Sequence, residues 1–146
     1  AFLVDNVHKN VAYISSFHKR IIPYNQIISV ELLEEGKTVS KKSTVRTIGG
    51  ALIGGAIGGG VGAIVGGLSG GRSQSKKVSL VQVKIRLRDV NSPSFTITTF
   101  NARTMTVEGK PITENSTEGY IYRQGRSDAN RIVDLVSIII DETDRA

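Results

Sequence analysis

Residues 81–88, Val-Gln-Val-Lys-Ile-Arg-Leu-Arg, alternate apolar and polar side chains. Because successive side chains of a β-strand point to opposite faces of the sheet, this alternation predicts a strand with one buried face. Residues 28–33, Ile-Ser-Val-Glu-Leu-Leu, show a similar pattern, and the Glu34-Glu35-Gly36-Lys37 stretch after them predicts a turn. We expect the two strands, 28–33 and 80–88, to pair, with basic side chains of the second near Glu31 of the first.

Further strands are predicted on both sides of this pair. Residues 1–35 carry short apolar runs that are typical of strands, and Pro23 among them marks a turn or a strand edge. Apolar side chains in residues 95–100 predict one more strand. Residues 101–117 predict a loop with a short strand at Met105–Val107.

The C-terminal region predicts one helix. Its apolar side chains recur at helical spacing, and Ser127 or Asp128 can cap its N-terminus. The apolar positions are Ala129, Ile132, Val133, Val136, Ile139 and Ile140. A start nearer Ser116 is the alternative, against which Gly119 and Gly125 argue. The predicted fold class is therefore α+β, mainly β, with a C-terminal helix.

A glycine zipper lies between the two paired strands. No charged residue occurs between Arg46 and Arg72, and residues 48–71 contain 12 glycines, three alanines and eight Ile, Leu or Val. Six glycines repeat every four residues: Gly50, Gly54, Gly58, Gly62, Gly66 and Gly70. A bulky row lies beside them: Ile53, Ile57, Val61 and Val65. On a helix this spacing produces a flat glycine face that another helix can approach closely.

Such a helix needs contacts from outside the segment. Each glycine costs about 1 kcal/mol relative to alanine in a helix interior, so the 12 glycines of residues 48–71 cost on the order of 12 kcal/mol. Lipid or protein contacts must offset that free energy. A flexible linker is the other interpretation, but linkers are rich in serine and polar residues, whereas this segment has one serine and eight large aliphatics.

The position of the zipper constrains how it can be buried. A helix of 24 residues reaches about 36 Å, and a bilayer core is about 30 Å thick. If the strands 28–33 and 80–88 pair and flank the insert directly, both of its ends lie on the same side of the domain. A single straight span would then pull the strands apart. We therefore predict a helical hairpin inserted between two strands and buried in a re-entrant membrane site or an oligomer core.

Basic residues border the zipper on both sides. They are Lys41, Lys42, Arg46, Arg72, Lys76 and Lys77. These cations either favour an anionic headgroup surface, by about 1 kcal/mol each, or form a solvated collar. We divide the chain into a β domain with the C-terminal helix, residues 1–36 and 78–146, and an inserted segment, residues 37–77.

Composition and motifs favour a protein that is not an enzyme. The 146-residue chain has a net charge of +6 and no cysteine, which favours acidic partners and excludes disulfides and thiolate metal sites. His8 and His18 have no acidic residue at a metal-ligand spacing, so we expect no metal, no cofactor and no small-molecule substrate. A basic row, Lys84, Arg86 and Arg88, shares one strand face. Because no aromatic residue flanks it, a solvated face fits better than nucleic-acid binding.

Three parts of the chain together resemble a known family. They are Ile-Ile-Pro-Tyr-Asn-Gln-Ile-Ile-Ser-Val-Glu-Leu-Leu-Glu-Glu-Gly at residues 21–36, the zipper, and Val-Gln-Val-Lys-Ile-Arg-Leu-Arg-Asp at residues 81–89. Over about residues 12–142 the chain resembles bacterial proteins with a pleckstrin-homology-like (PH-like) domain that carries a glycine-zipper insert. The resemblance implies a strongly bent antiparallel sheet, or barrel, closed at one end by the C-terminal helix. It also implies no catalytic residues, because that fold serves in binding and assembly.

Two functions are expected on these grounds. The first is a non-enzymatic module whose zipper hairpin drives membrane association and homo-oligomerisation, with the protein itself and anionic lipid as partners. The second is a structural subunit of a fibre or ring whose core holds the glycine hairpins. Both favour a membrane-associated or extracellular assembly over a free cytoplasmic monomer, while the compartment itself stays open.

Overall fold

A computed structural model describes residues 1–45, 77–112, 115–116 (backbone only) and 119–145. Within these residues the chain forms antiparallel sheets and one C-terminal helix, which confirms the predicted α+β, mainly β, class. The predicted helical hairpin falls on residues outside the described ranges.

Two sheets account for most of the structure. The first has three strands in chain order: β1 (Phe2–Asp5), β2 (Asn10–Ile14) and β3 (Lys19–Pro23). A 3-10 turn, Tyr24–Gln26, leads into the second sheet, which has the strand order β5-β4-β7-β8. Its strands are β4 (Ile27–Glu34), β5 (Lys37–Ser43), β7 (Leu80–Leu87) and β8 (Ser94–Asn101). Pro23 ends β3, as expected for a strand edge.

Short strands and the helix complete the described chain. β6 (Lys77–Val78) pairs with β11 (Asn115–Ser116), and β9 (Thr106–Val107) pairs with β10 (Lys110–Pro111). The helix α1 runs over Tyr120–Arg145. It packs on β4, β7 and β8 and so covers one face of the four-stranded sheet.

The predicted pairing of β4 with β7 is confirmed. Val30 lies opposite Ile85, and Glu31 lies opposite Lys84. The apolar alternation of β7 is buried on the helix side of the sheet, because Val83 and Ile85 are fully inaccessible to solvent. Lys84 and Arg86 therefore point to the opposite face, which we call the outer face.

Four strands were not predicted from the sequence: β6, β10 and β11, which have two residues each, and β5, which is the longest. Residues 37–43, assigned from the sequence to the polar flank of the insert, form β5 and pair with β4 along its whole length. The predicted turn is the tight connection between them, because Glu35 and Gly36 both have positive φ, 54° and 75°. A two-residue hairpin of this kind requires the left-handed region at both central positions.

The presence of β5 determines where the described chain leaves the sheet and returns to it. β5 and β7 both run antiparallel to β4, so they are parallel to each other. The chain leaves β5 where the amide of Thr44 bonds to Ile28, and it returns beside Glu35, whose amide bonds to Leu80. Seven residues of β4 separate these points, or about 23 Å at the usual rise of a strand. The described chain therefore leaves and returns at opposite ends of β4, which was not predicted from the sequence because β5 was missed.

The helix start was also predicted too late. α1 begins at Tyr120, so Ser127 and Asp128 lie inside it and do not cap it. Gly125, which argued against an earlier start, is buried in the helix where α1 meets Phe100 of β8. The close approach of helix and strand explains a glycine at this position.

Candidate association surface

Most of the predicted association residues lie outside the described ranges. These are Gly50, Gly54, Gly58, Gly62, Gly66, Gly70, Ile53, Ile57, Val61, Val65, Arg46, Arg72 and Lys76. The structure does place three of the six flanking cations, Lys41, Lys42 and Lys77, together with the points where the chain leaves and re-enters the described domain.

The two lysines before the insert point to opposite faces of the sheet. Lys41 lies beside Glu31 on the outer face, with its Nζ 3.7 Å from the Glu31 carboxylate. Lys42 lies on the helix side, with its Nζ 2.8 Å from the carboxylate of Asp141 in α1. Since alternation in β5 separates them, these two side chains do not form one collar, and each has a carboxylate partner within the domain.

The exit of the insert is attached to the C-terminal end of α1. Thr44 donates its hydroxyl to one carboxylate oxygen of Asp144, and the amide of Val45 donates to the other at 3.0 Å. The Thr44 amide also bonds to the carbonyl of Ile28 at 2.8 Å. One side chain of the last helical turn thus fixes the last two described residues before the zipper.

The return point is held by a carboxylate in the β4–β5 turn. Glu35 accepts hydrogen bonds from the amide and hydroxyl of Ser79 and from the amide of Leu80, the last at 3.0 Å. The bond from the Ser79 amide, followed by that from its hydroxyl, lowers the pKa of the Glu35 carboxyl. Glu35 before the insert is thereby joined to Leu80 after it.

The outer face of the four-stranded sheet carries two residues of the predicted basic row, Lys84 and Arg86, while Arg88 follows the end of β7. Lys84 faces Glu31 across the ladder, as expected, although the ion pair of Glu31 is made with Lys41. Arg86 is exposed next to it. Neither Lys84 nor Arg86 forms an ion pair with any other described residue, so this face has a positive potential.

Comparison with known proteins agrees with this arrangement. Residues 1–101, from the start of the chain to the end of β8, match the family described as glycine zipper containing PH domain. The chain belongs to this family. The resemblance stated from the sequence is thus confirmed at the level of the family, while α1 lies beyond the matched residues. No curated protein and no solved structure matches the chain.

One open depression, about 380 Å³ in volume, lies on this glycine-zipper PH domain between the β1–β2 turn and α1. Lys9 crosses it, with its Nζ 2.6 Å from Glu142 and 5.9 Å from the centre of the Tyr24 ring. Burial raises the pKa of Tyr24. The opposite charges of Lys9 and Glu142 neutralise each other, so the depression presents an ion pair and an aromatic ring and lacks the net charge of an anion site.

The sequence analysis missed an acid–histidine contact in this PH domain. His8 Nδ1 lies 2.7 Å from Asp5, which also accepts the amides of Val7 and His8. These bonds, the His8 amide first, lower the pKa of Asp5, and they build the β1–β2 turn. Among the residues that the structure describes, no group of three or more His, Cys, Asp or Glu could hold a metal ion.

The described helix does not qualify as a membrane span. Within residues 1–45, 77–112 and 119–145, no helix combines the length and the apolar character that a bilayer crossing requires.

Proposed function

We propose that this PH-like protein is a non-enzymatic association module. Its glycine-zipper segment, residues 48–71, would drive membrane association and homo-oligomerisation. The six glycines at four-residue spacing in a stretch without charge carry the proposal, because such a segment gains stability only from close contact with lipid or with another helix. The family description, which names a glycine zipper, supports it.

The organisation of the described domain supports the proposal. β4 pairs with β7 across the insertion, and the core beneath the sheet contains side chains from both sides of it, such as Val30 and Ile85. The described residues on both sides of the insertion thus share one core, and we propose that the aliphatic side chains of the zipper are buried against another partner.

The separation of the two exits limits the shape of the insert. A helical hairpin would bring the ends of the zipper together, while the exits on β4 lie about 23 Å apart. Between these exits and the zipper lie 11 residues, 45–47 and 72–79, which span at most about 40 Å when fully extended. A hairpin is therefore compatible with the domain.

The test compares sedimentation of the full chain with and without lipid vesicles. We expect the protein to pellet with vesicles and to associate in detergent as a small oligomer. Gly58→Leu or Gly62→Leu should weaken association at least tenfold, because a side chain on the flat face keeps two backbones apart. Ile57→Leu, which places a leucine on the bulky row without changing the side-chain volume, is the control and should behave like the natural chain.

The same experiment separates this function from the fibre or ring. Large ordered particles that form without lipid and appear by negative-stain microscopy would favour a structural polymer. A chain that stays monomeric and never pellets with vesicles would contradict both functions. Unchanged association in Gly58→Leu and Gly62→Leu would show that the glycine face is not the contact.

A further inference from the structure

Two loop tips of the described domain expose large apolar side chains. Phe17, in the turn between β2 and β3, is 90% exposed, and Val90, in the turn between β7 and β8, is 99% exposed. Side chains of this size gain free energy when they leave water.

The two tips belong to one end of the domain. Arg20, three residues after Phe17, donates to the hydroxyl of Ser92 at 2.5 Å and to its carbonyl at 3.1 Å. The same guanidinium lies 3.2 Å from Asp89, next to Val90. Its side chain also covers the ring of Phe95, on which Tyr13 stacks with 5.5 Å between ring centres. Both tips are therefore fixed to a common base.

The charge around the tips is positive. Lys19 is exposed beside Phe17, and Arg86 is exposed on the strand that leads to Val90. Within residues 15–20 and 86–93, Asp89 is the only acidic residue, and Arg20 pairs with it. The end of α1 near Val45 adds Asp141 and Glu142, which pair with Lys42 and Lys9, and Asp144, which accepts from Thr44 and Val45. Apolar tips surrounded by cations suit the boundary between headgroups and acyl chains of an anionic bilayer.

The chain also leaves the domain towards the zipper at this end. The amide of Arg88 bonds to Gln26 at 2.8 Å, and the amide of Thr44 bonds to Ile28 at 2.8 Å. Both contacts lie at the start of β4. The end of β7 and the end of β5 are therefore at the same end of the sheet. Val45, which follows β5, is 55% exposed. An apolar segment thus departs from the same end that presents Phe17 and Val90.

We infer that this end of the domain docks on an anionic bilayer, with Phe17 and Val90 inserted among the lipids. This inference rests on the proposed membrane association and adds which surface faces the membrane. A second copy is the less suitable occupant, because like-charged ends repel each other.

The chain contains no tryptophan, so a single introduced tryptophan reports on its own surroundings. Three full-length variants are needed: Phe17→Trp, Val90→Trp, and Tyr120→Trp as the control. Tyr120 is 73% exposed at the start of α1, the helix end that packs towards Phe100 and away from the β7–β8 turn. Each variant is mixed with vesicles of phosphatidylcholine that contain phosphatidylglycerol and bromine-labelled acyl chains.

We expect the tryptophan emission of Phe17→Trp and Val90→Trp to shift to shorter wavelengths. Bromine quenching should remove at least half of its intensity. The emission of the control, Tyr120→Trp, should stay unquenched. Vesicles of phosphatidylcholine alone should give weaker quenching at equal lipid. In a chain without tryptophan substitutions, Phe17→Ser should weaken vesicle binding about tenfold, the equivalent of 1.4 kcal/mol. Val107→Ser, at an exposed site in the β9–β10 hairpin, is its matched control and should not weaken binding.

Sedimentation separates a failure of this inference from a failure of the proposed function. If the variants pellet with vesicles but Phe17→Trp and Val90→Trp stay unquenched, or if Tyr120→Trp is quenched equally, the docking end is wrong and zipper-driven association stands. If no variant pellets, membrane association itself is wrong. An emission shift of Phe17→Trp that depends on protein concentration and needs no lipid would identify a second copy as the occupant and overturn the inference.

Discussion

Gly125 of α1 lies so close to Phe100 of β8 that a β-carbon added at position 125 would be 2.6 Å from the β-carbon of Phe100 and 3.0 Å from the Thr99 carbonyl oxygen. Gly125→Ala should therefore destabilise the domain. Overpacking costs about 1–3 kcal/mol, and it opposes the gain of about 1 kcal/mol that alanine brings to a helix interior.

The measurement is the free energy of unfolding in urea, where we expect a net loss of up to about 2 kcal/mol for Gly125→Ala. Asn130→Ala, at an exposed position of the same helix, is the control and should be neutral or slightly stabilising. If Gly125→Ala equals or exceeds the stability of the natural chain, α1 does not approach β8 as closely as described.

The carboxylate of Glu35 should make stability depend on pH. Its pKa is lowered in the folded state by bonds from Ser79, so the stabilisation is fully present above the unfolded pKa of about 4.5. It is lost as the pH falls through the folded pKa. Glu35→Gln should cost about 1 kcal/mol of unfolding free energy at pH 7, a modest figure because the group is exposed to solvent. The cost should shrink at about pH 3, below the unfolded pKa.

A second Glu-Gly turn supplies the matched control. Glu108 and Gly109 join β9 to β10 with φ values of 51° and 77°, like those of Glu35 and Gly36. Glu108→Gln should leave the unfolding free energy unchanged at both pH values. A Glu35→Gln variant with the natural pH profile would mean that its carboxylate does not hold the return point.

Local patterns in the sequence predicted the strands well, because alternation reports burial of one face. Val81 to Leu87 alternate and form β7, whereas β5 was missed because Lys37, Lys41 and Lys42 hide the pattern of an edge strand. Edge strands carry lysine for a physical reason, since it discourages pairing with other chains. The Glu35-Gly36 turn was the available signal, because a two-residue turn implies a strand on both sides.

Side-chain contacts between distant residues outside the paired strands β4 and β7 could not be predicted. Asp144 and Thr44 are 100 residues apart, and nothing near either in the sequence indicates that they meet. Gly125 is a second example. Its local effect is to lower helix propensity, and its presence in α1 is explained only by the close approach of β8. The position of the insert's ends was missed for the same reason, because it depends on β5 lying between β4 and the zipper.

The ion pair between Arg126 of α1 and Glu34 of β4 is the most buried one in the described structure, with side chains 13% and 7% exposed. Arg126→Met should cost about 3 kcal/mol of unfolding free energy, because it leaves the Glu34 carboxylate in a site of low polarity. Replacing both partners, Glu34→Leu with Arg126→Met, should recover most of that loss, since two apolar side chains bury well together.

The exposed pair of Lys9 and Glu142 also joins α1 to the strands, with side chains 52% and 47% exposed, and it provides the comparison. Lys9→Met should cost less than about 1 kcal/mol, because water screens a surface pair. Urea unfolding of the three variants at neutral pH and low salt decides the matter. If Arg126→Met costs no more than Lys9→Met, water reaches Glu34 in solution. If the double variant is no more stable than Arg126→Met alone, the pair itself stabilises the contact of helix and sheet.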